Sequence, residues 1–168
     1  PADGATEGIA VHGHWTISVV RDGEVVERRE FENALTNDGT THLSELLARN
    51  SSPGNWVIRL SAVVATPLCA GDTTNGACTI SEGDNELTVS SVPAGSETQL
   101  VLEGSDTAAT DGDINAVTTL QAICGSDTTP AACTIEGLRT SFTATNLDPT
   151  IAVQSGDRID VTVEISFS

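Results

Sequence analysis

The last eleven residues, "RIDVTVEISFS" from Arg158 to Ser168, limit the possible folds more than any other stretch. Ile159, Val161, Val163, Ile165 and Phe167 fall on one side of an extended chain; Asp160, Thr162, Glu164 and Ser166 fall on the other. A period of two with β-branched residues on one face describes a strand with one side on a core and one in solvent. The same pattern recurs upstream, where Trp15, Ile17 and Val19 alternate with Thr16, Ser18 and Val20. "RDGE" follows, and Asp-Gly between two β-branched runs predicts a type I′ hairpin turn with a return strand over Glu24–Phe31.

Trp56–Val64 reads as a buried strand, and Leu87–Val92 and Thr98–Leu102 flank "PAGSE" as a hairpin. Asn115–Cys124 and Leu138–Ala144 form a further pair. One segment changes period: Leu43, Leu46 and Leu47 stand at helical spacing, which predicts one short helix near residues 39–50, ending before "SSPG". Strands with a single helix predict an all-β fold, an antiparallel β-sandwich with Greek-key or jelly-roll-like connections. With three Phe, two Trp and no Tyr or Met, its core is aliphatic. The 168 residues suit one domain, expected over 13–168. The small, polar start "PADGATEG" predicts a flexible arm over residues 1–12.

The formal charge of −17, with all seven basic residues Arg, repels phosphate backbones and anionic membrane surfaces. Nucleic acid is therefore an improbable partner, and no apolar run is long enough for membrane insertion. The sequence opens at Pro1 and holds four cysteines, so the expectation is a secreted protein whose leader peptide has been removed.

Those cysteines lie in two similar stretches, "LCAGDTTNGACTI" (68–80) and "ICGSDTTPAACTI" (123–135). Eight residues separate the members of each pair, whereas structural zinc sites use pairs two to four residues apart. A redox pair would be Cys-x-x-Cys in an electropositive setting, and neither loop holds a basic residue. Disulfides closing each loop, Cys69–Cys78 and Cys124–Cys133, fit best, with crossed pairing between loops as the competitor. The polar, turn-prone tips would then be exposed contact surfaces.

Other candidates are weaker. Asp106, Asp111 and Asp113 could gather around calcium, though not at EF-hand spacing; Asp84 and Glu86 form a second acidic cluster. Solvated acidic loops are the simpler explanation, so no cofactor is expected. His12 and His14 share one face of a strand and could form half a metal site, with no third ligand evident; His42 is the remaining histidine. Asn50 in "NSS" matches the N-glycosylation acceptor pattern. Neither a nucleophile elbow nor a phosphate-binding glycine loop occurs, and an enzyme is not expected.

Two segments carry a likeness. "EFENALTNDGTTHLSELLARN" (30–50) and "SGDRIDVTVEISFS" (155–168), about a fifth of the chain, resemble parts of tailed-phage tail and fibre-associated proteins. That resemblance implies a β-rich structural module working in assemblies, with no catalytic residues to transfer. Cysteine loops and an exported start point to a cell-surface relative. The leading expectation is a structural subunit of an extracellular filament or pilus-like appendage, a homopolymer whose partner is itself. Its arm, with Ala5, Ile9, Val11 and His12, would add a strand to a neighbour's sheet. The alternatives are a monomeric secreted ligand- or glycan-binding module, and a phage tail or fibre component. Sugar platforms usually need flat exposed rings, and Trp15 and Trp56 both sit in core-like patterns.

Overall fold

A computed structural model describes residues 10–83, 86–95, 97–133 and 139–168. The first hairpin forms as its turn chemistry requires. β1 (Val11–Arg21) and β2 (Glu24–Ala34) are joined by Asp22 and Gly23, with φ of 52° and 82°, the two positive values a type I′ turn needs. After α1 (Asn37–Leu47) come β3 (Ser51–Ala62), β4 (Ala77–Ser81), β5 (Leu87–Ala94), β6 (Glu97–Thr107), β7 (Gly112–Gly125), β8 (Arg139–Val153) and β9 (Arg158–Phe167).

These strands make two antiparallel sheets, one of five in the order β2-β1-β9-β6-β5 and one of four in the order β4-β3-β7-β8. β6 pairs with β9 across the excursion of β7 and β8 into the other sheet, a Greek-key-like connection. The fold is the expected all-β sandwich. Its core is aliphatic: Ile17, Val19, Leu102, Ile159, Val161, Val163 and Ile165 from one sheet meet Ile58, Leu60, Ile80, Ile114, Val117, Ile151 and Val153 from the other. Burying each such side chain contributes roughly 1.5–3 kcal/mol before chain entropy is counted. Trp15 stacks on Phe31, and Trp56 meets Phe142 edge-on at 5.2 Å.

Three expectations are corrected. Val11 and His12 belong to β1, held between β2 and β9, and do not belong to an arm: His12 pairs with Ala34 and Ser166, and Val11 pairs with Phe167. Ala10 is tied in as well, exchanging backbone hydrogen bonds with Ser168. Ala5 and Ile9 lie outside the described residues. The helix starts earlier than expected, at Asn37, because Thr36 caps it by accepting a hydrogen bond from Gly39 N at 2.8 Å. Leu47 is 72% exposed, and the face turned to the sandwich carries Gly39, His42 and Leu43. Phe167, at the end of the alternating strand, is 40% exposed and does not join the core, which the strand's alternation reaches only as far as Ile165. β4 was not anticipated: its five residues are too few to show a period.

Candidate functional sites: the cysteine lobes and the sheet edges

Both cysteine pairs close locally, Cys69–Cys78 and Cys124–Cys133. Bridged cysteines are the chemistry of an oxidising environment. The two lobes lie at opposite ends of β3. Cys78 is carried by β4 opposite Leu60, and Cys124 by β7 opposite Ser52. Eight residues of strand, roughly 27 Å, separate those positions. Two similar sequences therefore serve different poles of the sandwich.

The first lobe is built into the core. Cys69 and Cys78 are both fully buried in the main cluster, and Leu68 and Ala109 are tied by a backbone hydrogen bond of 2.7 Å. Asp72 braces the loop by accepting from Thr79 N at 2.9 Å. Above the bridge lies a polar cavity of about 340 Å³, where Arg59 faces Asp72, Glu86 and Asp106 among the hydroxyls of Thr73, Thr74, Thr79 and Ser81. Burial pushes the Asp106 carboxyl above its usual range; the hydrogen bond from Thr107 N opposes this, and the nearby Asp72 charge adds to it. Cys78 Sγ sits 3.8 Å from Asp106, a van der Waals contact, because a bridged sulfur carries no proton. For the same reason Cys69, Cys78 and Asp106, though gathered within 4.8 Å, hold no metal: both sulfurs are spent in the disulfide. The cavity offers a guanidinium, carboxylates and hydroxyls, a set suited to polar contact, with no imidazole or thiol among the described residues that line it.

The second lobe is a satellite. Ala122, Cys124 and Cys133 form a small separate cluster, and Asn55 N donates to Cys133 O at 3.3 Å. Gly54 packs so closely that a Cβ there would overlap the Cys133 carbonyl and sulfur.

The calcium candidates are not brought together. Asp106 lines the first lobe's cavity, Asp111 accepts from Ser155 N at 2.8 Å, and Asp113 stands exposed on β7. Asp84 lies outside the described residues, so its pairing with Glu86 is not described. His42 is a core histidine, 1% exposed, with Nε2 bonded to Gln121 Oε1 at 2.8 Å. Asn50 is exposed just before β3, where a sequon can be reached. His12 and His14 do share the outer face of β1 and line one cavity. Sequence reasoning missed the bidentate pair of Arg21 with buried Asp157, at 2.8 and 2.7 Å, because 136 residues separate the partners.

The edges of the five-stranded sheet differ sharply. β2, "EVVERREFENA", carries six charged residues, the usual defence of an exposed edge. β5, "LTVSSVPA", carries none over eight residues, and Thr88, Ser90, Ser91 and Val92 are exposed. Pro93 is its one residue of the kind that blunts an edge. No helix among the described residues is long and apolar enough to cross a membrane. No family model, curated protein or solved structure matches this chain, so the reading of its sites rests on their geometry.

Proposed function

We propose that this chain is a structural subunit of an extracellular filament or pilus-like appendage, assembling with copies of itself by β-strand addition. The observation that carries the reading is the uncharged, exposed edge β5, a row of main-chain donors and acceptors with little of the protection its opposite number β2 has. The donor is the chain ahead of β1, residues 1–9, a shorter segment than the arm expected from sequence because Val11 and His12 are already paired. Repeating that contact head to tail gives an open filament, since a heterologous contact need not close. Disulfides at both ends of β3 suit a subunit that must persist outside a reducing cytoplasm. Glycan binding is disfavoured because Trp15 and Trp56 are both buried, so neither offers a flat ring to a sugar.

Electron microscopy and sedimentation of the purified protein at high concentration test the proposal. Filaments are expected from the wild type. Ser90→Lys with Val92→Lys, which charges the β5 edge without touching the core, should abolish them, as should deletion of residues 1–9. A wild type that stays monomeric refutes the filament. Filaments that survive either change refute strand addition at this edge.

A further inference from the structure

His12 and His14 look like half a metal site in the sequence, and the strand register supplies what the sequence could not. Alternation along β1 sends Trp15, Ile17 and Val19 inward and both imidazoles outward. β1 is an inner strand, so each outward residue has a directly opposed neighbour on both sides. For His14 these are Glu32 on β2 and Glu164 on β9. Opposed residues share a face with Cβ atoms about 4.5–5.5 Å apart, which brings both carboxylates alongside the imidazole. His12 follows on the same face, flanked by Ala34 and Ser166, which are too small to compete for the space. His12, His14, Glu32 and Glu164 line one cavity of about 350 Å³ with Gly13, Gln99 and Ser166.

We propose that this face binds a divalent transition-metal ion of the zinc class through His12, His14, Glu32 and Glu164. Two imidazole nitrogens and two carboxylate oxygens make a borderline donor set that suits Zn²⁺, Ni²⁺ or Cu²⁺, whereas Ca²⁺ and Mg²⁺ favour all-oxygen shells. His14 and Glu164 are half-buried, and His12 and Glu32 are exposed; among the described residues no hydrogen bond or ion pair occupies any of them. The four ligand atoms are not already clustered within 4.8 Å, so binding proceeds by rotation of surface side chains over a fixed sheet backbone. The −17 charge of the chain raises the local concentration of any cation.

Titration calorimetry of the full chain, disulfides intact, with ZnCl₂ and with CaCl₂ tests the site. One saturable Zn²⁺ equivalent is expected, and Ca²⁺ should not compete for it. His12→Ala with His14→Ala should weaken Zn²⁺ by more than the roughly 10–100-fold that loss of an outer-shell partner costs. Glu32→Gln with Glu164→Gln should weaken it as well. Asp38→Asn with Asp113→Asn, which removes two charges elsewhere, should leave the affinity unchanged. Electron paramagnetic resonance of the Cu²⁺ form should show nitrogen couplings from two imidazoles. Circular dichroism confirms that each variant is folded. Zn²⁺ affinity that survives the histidine changes, or falls equally with the distant aspartates, overturns the proposal, as does a Cu²⁺ spectrum without nitrogen couplings.

Discussion

Removing the two disulfides separately distinguishes a staple from a core element. By loop entropy alone they are equivalent: each spans a sequence separation of 9, and closing about ten residues gives roughly 2.7 kcal/mol at 25 °C. The structure breaks that tie. Cys69 and Cys78 are both fully buried in the main cluster, so Cys69→Ala with Cys78→Ala also removes two sulfurs from packed surroundings. At about 1 kcal/mol for each methyl-sized void, the double substitution should cost about 4.5–5 kcal/mol. Cys133 is also fully buried and Cys124 nearly so, but among the described residues their cluster holds only Ala122 besides, so the matching change opens less of the packed core and should cost less, about 3–4 kcal/mol. Equilibrium urea unfolding of the two double variants, without reductant, measures the difference. At roughly 2–4 °C per kcal/mol for a chain of this size, the first variant should lose about 10–20 °C of Tm. Equal costs, or a larger cost at the second bridge, would refute the distinction between core and satellite.

Three further outcomes are expected. Asp157→Asn should cost about 2 kcal/mol at neutral pH, because a charge-assisted pair with Arg21 is lost at a buried position. The Arg21 hydrogen bonds hold the Asp157 carboxyl below its ordinary value, with burial opposing and Gln154 N assisting. Its contribution is therefore fully present above the unfolded aspartate pKa near 3.9 and lost as pH falls through the folded value, so the gap from wild type should close only in acid unfolding curves. Gly54→Ala should push Cys133 off β3 and raise hydrogen exchange at Asn55 N, leaving protection at Leu60 and Val117 unchanged. Thr36→Ala removes both the helix cap and a 2.6 Å bond to Ser141 O, and should lower urea stability by about 1–2 kcal/mol.

How legible each element was depended on the range of the interaction that fixes it. The Asp22-Gly23 turn and the alternation of β9 are local; the turn formed as read, and the alternation did so as far as Ile165. Leu47 followed helical spacing yet faces solvent, since spacing defines a stripe without saying which side the sheet will cover. Val11 and His12 followed the composition of an arm, and their pairing with β9 depends on residues over 150 positions away. The third and fourth neighbours of the histidine pair were invisible for the same reason: Glu32 and Glu164 become adjacent to His14 only through register.

The sequence by itself determined the strand periods, the hairpin turn and the aliphatic core, because these follow from covalent geometry and from neighbours a few residues apart; it favoured local cysteine pairing but left crossed pairing open. Only the tertiary structure decided which strands lie at the edges, which lobe joins the main core, and which carboxylates face His14. Those depend on strand order, and strand order is selected by burial of the two sheets against each other, a free energy summed over the whole chain.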